Sequence, residues 1–321
     1  MEESIIGFPE QFSFHPVIEN ADALRPAEHF ILCGMGGSHL AAGLIKLYDP
    51  TLNLSVHYDY ALPQYPHAKL KEGLLIASSF SGNTVETIDF AQKAFDQKLN
   101  LIIIASGGKL LEFAKINNIP YIALPAVRIQ PRNAVGYSLL ALAEATSNKM
   151  LLNTLWGMRG NLDAMRFKQD GEMLAEKLQG KVPVIYSSNN NHSLAYNWKI
   201  KFNETAKIPA FFNMFPELNH NELAGFDTTE EKKALMRPFH FIFLRDSNDH
   251  PAIIKRMDIA KDLYLTRGFD VEEVMLTGSH VLEKAFNSIF LADWTAFSLA
   301  SFYGVDPEQV PLIEEFKSLI A

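Results

Sequence analysis

The sequence predicts an α/β fold of two domains, each a mostly parallel sheet flanked by helices on both faces in an αβα sandwich. Three observations predict it. Short apolar runs suited to buried strands alternate with stretches whose apolar residues recur at helical spacing. That alternation runs twice, on either side of a mixed charged and apolar stretch at about 151–180. The chain of 321 residues is also long enough for two cores of ordinary size. The boundary is placed near residue 150, giving domains 1–150 and 151–321.

In the first domain, residues 1–28 carry Phe8, Phe12 and Phe14 among turn residues, and are expected to pack onto that domain. A strand at 29–33 leads into Gly34-Met35-Gly36-Gly37-Ser38 and a helix with Leu40, Leu44 and Leu47. This unit approaches a dinucleotide fingerprint, but His39 stands where the third glycine belongs, which leaves the fingerprint incomplete. Strands follow at 54–58, 74–78, 101–105 and 121–124. The strand at 74–78 runs into Ser79-Phe80-Ser81-Gly82-Asn83-Thr84, and then Val85, Ile88, Ala91 and Phe95 recur at helical spacing. Hydroxyls beside the free N–H groups of a helix start make a neutral cradle for a phosphate dianion. The same residues also suit an ordinary Ser/Thr helix cap. Both loops fall at carboxyl ends of strands, where open α/β sheets bind ligands. Arg132 follows Pro131 at the start of an Ala- and Leu-rich helix. A surface arginine there is mildly opposed by the helix dipole, whereas a cation reaching into a cleft has a local reason to be present.

The stretch at 151–180 reads as one long connecting helix. Strands follow at 184–188, 239–244 and 271–275, with helices at about 251–267 and 280–302, and 208–212 is extended. A helix through Trp198 and Phe202 ends at Glu204-Thr205. Near a helix C-terminus the dipole disfavours a carboxylate, which suits Glu204 to a general base; the plainer reading pairs it with Lys201 or Lys207. His220, between Asn219 and Asn221, is either a proton shuttle or a hydrogen-bonded structural histidine. Lys317, on a last helix with Val310, Ile313 and Phe316, would ordinarily be a free surface lysine.

Composition narrows the functional classes. Hydrophobic residues make up 48% and charged residues 21% of the chain, as in a globular protein. Against 37 acidic residues stand 29 Lys and Arg, a formal charge of −8, which argues against nucleic acid as the main partner but allows a local pocket for an anionic metabolite. Cys33 is the single cysteine, so no intramolecular disulfide forms and a reducing compartment is expected. The first four residues are acidic where a signal peptide is basic, and no apolar run reaches membrane length. A cytoplasmic protein with no membrane partner is therefore expected. The ten histidines show no H-x-H or H-x-x-x-H spacing, so no metal site is expected, and with the dinucleotide fingerprint incomplete no cofactor is expected. Gly-x-Ser-x-Gly is absent as well.

Gly34-Met35-Gly36-Gly37-Ser38, Ser79-Phe80-Ser81-Gly82-Asn83-Thr84-Val85-Glu86-Thr87 and Pro131-Arg132 resemble a sugar-isomerase (SIS) domain. Phe202-Asn203-Glu204-Thr205-Ala206-Lys207 and Pro216-Glu217-Leu218-Asn219-His220-Asn221-Glu222 narrow the resemblance to the bifunctional phosphoglucose/phosphomannose isomerases, over the whole chain. The resemblance implies two SIS-type domains, and Gly37, Ser38, Ser79, Ser81 and Thr84 as the residues that bind the sugar phosphate. It implies Arg132 as the cation beside the reaction intermediate and Glu204 as the base moving a proton between C1 and C2. His220 and Lys317 would open the sugar ring, His220 reaching in from the partner subunit of a homodimer. His39 and Glu308-Gln309 depart from the family pattern.

The function so implied is a metal-independent aldose–ketose isomerase interconverting glucose or mannose 6-phosphate with fructose 6-phosphate through a cis-enediol. The competing reading is a non-catalytic sugar-phosphate-binding regulator, but this chain shows no helix-turn-helix pattern and a sensor has no use for Glu204 and His220. A glutamine-dependent amidotransferase would want a cysteine where Glu2 stands.

Overall fold

The computed structural model describes residues 1–227 and 229–320. The chain forms two compact units: Gly7–Leu162, and Asp163–Ala321 together with Met1–Ile6. The expected boundary at 150 instead falls within the helix Lys149–Met158. The connecting helix expected over 151–180 is broken. Lys149–Met158 stops before Gly160 and Asn161, and Asp163 then starts a new turn by accepting a hydrogen bond from the N–H of Met165 at 3.0 Å, ahead of the helix Lys168–Lys177. Helical periodicity continued across the break, but a short local side-chain bond competes well with one more helical turn.

The unit Gly7–Leu162 holds five strands, β1 (Phe30–Cys33), β2 (Leu54–His57), β3 (Leu74–Ser79), β4 (Asn100–Ala105) and β5 (Tyr121–Ala123), all paired in parallel in the order β2-β1-β3-β4-β5. Every residue of β1, β3 and β4 is buried, as a parallel sheet covered on both faces requires. Ile31, Leu75, Ala77, Leu101 and Ile103 pack with Phe90 and Ala91 of the helix Val85–Asp96 and with Leu110 and Ala114 of Gly108–Ile116. The alternate residues Leu32, Ile76 and Ile102 are equally buried, and the helix Val135–Ala145 packs against β4. Cys33 lies in this core with its thiol pushed up to about 12 by burial, far from thiolate reactivity. Residues 7–28 pack on this unit as expected, and Glu19 exchanges two backbone bonds with Tyr121. The first six residues do not: Glu2 pairs with Lys168 at 2.7 Å, and the Met1 ammonium pairs with Glu308.

The second unit carries β6 (Val182–Ser188), β7 (Phe211–Phe215), β8 (Phe239–Arg245) and β9 (Asp270–Met275), again all parallel, in the order β7-β6-β8-β9. The segment expected only to be extended is thus a sheet strand, shifted a few residues onward. One face is an aromatic core in which Tyr186, Phe215, Phe241 and Phe243 meet Tyr264 of the helix Pro251–Thr266; the rings of Phe241 and Tyr264 stack 4.0 Å apart. On the long helix Val281–Tyr303, Trp294 donates to the carbonyl of Ala164 at 2.7 Å, and Ser288 accepts from Trp198 of the helix His192–Lys201 at 2.9 Å. No helix among the described residues is long and apolar enough to cross a membrane.

Candidate active site

In the first unit the strand order itself picks the place. The chain leaves β1 for β2 on one side and returns to β3 on the other, so loops at the carboxyl ends of β1 and β3 diverge and leave a crevice. The two loops singled out in the sequence are those loops. After β1, Gly36–His39 forms a tight turn ahead of the helix Leu40–Tyr48; after β3, residues 80–84 lead into the helix Val85–Asp96.

Hydrogen bonds stitch the loops together. The Ser38 hydroxyl accepts from the N–H of Phe80 at 3.0 Å, and Ser78 Oγ approaches the Ser38 carbonyl at 3.3 Å. Ser79 Oγ lies 2.9 Å from Thr84 Oγ1 and accepts from the N–H of Gly82 at 3.1 Å. Thr84 occupies the N-cap position of its helix, yet its hydroxyl does not cap it. The ordinary-cap reading is corrected accordingly: the first-turn N–H groups lack a side-chain acceptor from this residue, which suits an anion. Ser81 is exposed and accepts from the N–H of Asn83 at 3.3 Å. Gly82 has φ +70°, and a Cβ there would fall 1.8 Å from the carbonyl oxygen of Gly107, so only glycine fits against the loop after β4.

Arg132 joins this group through the backbone. A Cβ on Gly37 would lie 2.6 Å from Arg132 N and 2.6 Å from the Pro131 carbonyl carbon. Gly37 therefore lets the turn Pro131–Asn133 close against the first loop. Arg132 is 1% exposed, so it is not the surface arginine of the plainer reading; a buried guanidinium needs compensating partners. The turn is held from behind by Gln11, whose amide donates to the carbonyl of Asn133 at 2.6 Å and accepts from the N–H of Tyr137 at 3.3 Å. Sequence reasoning missed Gln11; one of three polar residues in Phe8-Pro9-Glu10-Gln11-Phe12-Ser13-Phe14 gives no signal of a partner more than a hundred positions away. His39 is buried against Tyr58, its ring 4.8 Å from the phenol ring, and burial lowers its pKa to about 4.

The remaining sequence-predicted residues lie in the second unit, on three separate elements. Glu204 sits half-buried in a π-helical turn, Phe202–Ala206, that ends the helix His192–Lys201. Such widened turns recur at functional sites. Just before it, Lys201 and Asp293 form a buried ion pair at 2.7 Å that ties this helix to Val281–Tyr303. Just after it, Lys207 takes a left-handed conformation with φ +58° and its ammonium donates to the carbonyls of Glu204 at 2.6 Å and Asp306 at 2.8 Å, capping the helix end. His220 is exposed at the end of the turn Glu217–His220, which follows β7. Its ring makes no hydrogen bond among the described residues, so the structural-histidine alternative is not realised. Lys317 lies on the exposed helix Pro311–Ile320 and pairs with Glu314 at 2.9 Å. Among the described residues, no three His, Cys, Asp or Glu side chains gather as a metal site.

A model of the bacterial phospho-glucose isomerase C-terminal SIS domain matches residues 167–320. The bifunctional phosphoglucose/phosphomannose isomerase of Caldicellulosiruptor bescii is 33% identical over 342 aligned residues, covering 100% of this chain and 99% of its own. This chain belongs to the bifunctional phosphoglucose/phosphomannose isomerase family. The Aquifex aeolicus member is 31% identical over 97% of this chain and 95% of its own. Among solved structures, the C-terminal domain of glucosamine-fructose-6-phosphate aminotransferase from Francisella tularensis superposes with a TM-score of 0.72 at 16% identity, over 96% of this chain and 97% of that one. That likeness speaks to the fold, and the α/β arrangement of two SIS-type sheets is the one expected from the sequence.

Proposed function

We propose that this member of the family interconverts glucose 6-phosphate and mannose 6-phosphate with fructose 6-phosphate. The observation that carries this reading is Arg132, a buried cation whose turn Gly37 lets close against the first of two hydrogen-bonded, hydroxyl-rich loops at a topological switch point. The backbone and hydroxyls of Gly37, Ser38, Ser79, Ser81 and Thr84 hold the phosphate. His220 and Lys317 move the protons that open the ring. Glu204 then takes the proton from C2 of the open aldose, the electron pair passes to the carbonyl oxygen, and Arg132 faces the resulting cis-enediolate. Transfer of the O2 proton to O1 and return of the abstracted proton to C1 then give the ketose, with C2 as the carbonyl carbon. Glucose and mannose 6-phosphates share that enediolate, and rotation about C2–C3 lets one base serve both epimers. The active protein is a homodimer in which His220 of the partner subunit completes each site. The exposed apolar face of Pro311–Ile320 supports an assembled state.

The test is incubation of the purified protein with fructose 6-phosphate and chromatographic resolution of both aldose phosphates. Glu204→Gln is expected to lower turnover by at least about a thousandfold while fructose 6-phosphate still binds, since a general base is lost and the phosphate cradle is untouched. Full turnover in that variant would remove Glu204 from the role of base.

A further inference from the structure

The segment Glu217-Leu218-Asn219-His220-Asn221-Glu222 contains polar side chains to which the reaction scheme gives no task. Around His220 they bond to one another and to neighbouring elements. Asn221 donates to Glu217 at 2.9 Å and accepts from the N–H of Glu222 at 2.6 Å, and Arg256 donates to Asn219 at 3.3 Å. Glu222 makes the deepest connection. Tyr186 Oη donates to its Oε1 at 2.5 Å, and Asn213 Nδ2 donates to its Oε2. Tyr186 and Asn213 are register partners on β6 and β7, so one rung of the sheet grips both carboxylate oxygens. Tyr264 Oη lies 3.4 Å from Tyr186 Oη. Burial raises the pKa of both phenols, that of Tyr264 to about 12, so both stay protonated donors through the working range.

We propose that Glu222 is a positioning residue for ring opening, clamping the His220 turn to the β6–β7 rung so that the imidazole is presented at a fixed place. The inference rests on the reading of His220 as the ring-opening group. Stability alone does not call for this trio of polar side chains, Tyr186, Asn213 and Glu222, because a half-buried anion is costly to desolvate and apolar residues replacing all three partners together would pack at least as well. What two directed acceptor bonds add is orientation. There is also room for the turn to move if released: a hollow of about 280 Å³ lined by His220, Leu223, Phe226 and Arg267 opens beside it.

The bond pattern supplies a reversal test. In Glu222→Gln one carboxylate acceptor becomes an NH2. Turned to Asn213 it sets donor against donor, and turned to Tyr186 it makes the phenol an acceptor whose own proton must go to Tyr264 Oη at 3.4 Å. A charge-assisted bond is lost in either orientation. Asn213 cannot flip cheaply, because its Oδ1 already accepts from the N–H of Met214 at 2.8 Å. Asn213→Asp combined with Glu222→Gln restores a donor–acceptor pair of opposite sense and keeps the net charge. These variants are made in full-length Glu204→Gln protein, and the exchange of α and β anomers of glucose 6-phosphate is followed by NMR exchange spectroscopy. Glu222→Gln is expected to slow catalysed exchange by about tenfold or more, and the double change to bring it back within about threefold, as loss and repair of a charge-assisted hydrogen bond imply. Amide hydrogen exchange over residues 217–225 reads the clamp without reference to activity, and should speed up in Glu222→Gln and recover in the double variant. If His220→Ala leaves anomer exchange intact, the reading of His220 fails. If His220→Ala abolishes it while Glu222→Gln does not slow it, or the folded double variant does not recover, the positioning role alone is overturned.

Discussion

His39 is 6% exposed at the end of the Gly36–His39 turn, and burial lowers its pKa to about 4. It is neutral at working pH and contributes no cationic charge there, in keeping with the proposal that the phosphate is held by hydroxyls and backbone N–H groups. The unfolded chain takes up a proton on this residue at about pH 6.5, which the folded chain refuses until near pH 4. Its effect on stability therefore has a definite sign: none is lost above about 6.5, and stability falls as the pH drops from there towards 4, by roughly 3 kcal/mol in all. Urea unfolding between pH 7 and pH 4 should show the parent losing about that much more than His39→Ser. Parallel pH profiles for the two proteins would show that the ring is not held neutral. The sequence marked His39 as a departure beside the loop but carried no sign of its burial, which depends on Tyr58 closing over it.

At the level of elements, the cradle is a meeting of two turns made possible by one missing side chain. Gly37→Ala sets a methyl 2.6 Å from backbone atoms of Pro131 and Arg132, and backbone cannot yield there as a flexible side chain would. The turn carrying Arg132 must retreat. Removal of one positioned charge of this kind lowers kcat by about 10²–10³-fold, and the overpacking costs about 1–3 kcal/mol. Steady-state kinetics should find Gly37→Ala and Arg132→Ala similarly impaired, and the double variant no worse than Arg132→Ala, since both act through one group. Additive losses would mean that Gly37 serves the phosphate independently. The strands β1, β3 and β4 were legible because uninterrupted apolar runs have few other uses. β7 was read only as extended, because Asn213 interrupts its apolar run and Pro209 precedes it. The two hydroxyl loops were legible as loops, whereas the approach of Gly37 to Arg132, across more than ninety residues, belongs to the tertiary fold and leaves no local trace.

For the whole molecule, the terminal helix poses a question that one chain does not answer. Pro311–Ile320 buries none of its residues, and Leu312, Ile313, Phe316, Leu319 and Ile320 are 78, 40, 60, 79 and 48% exposed. Their spacing puts them on one stripe, opposite Glu314, Glu315 and Ser318. A ten-residue helix is marginal in water without a packed face, and covering side chains of this size contributes about 1.5–3 kcal/mol each when complete. The homodimer proposed above gives that stripe a cover and gives Lys317, on the same helix, a reason to lie where it does. Leu312→Glu with Phe316→Glu should convert a dimer to monomer in sedimentation velocity and abolish turnover, with each unit still folded by circular dichroism. Lys317→Ala should leave the dimer intact and slow turnover only, because it removes a charge from the edge of the stripe and none of its apolar surface. A dimer that survives the double glutamate change with full turnover would place the subunit contact elsewhere and leave the stripe unexplained by it.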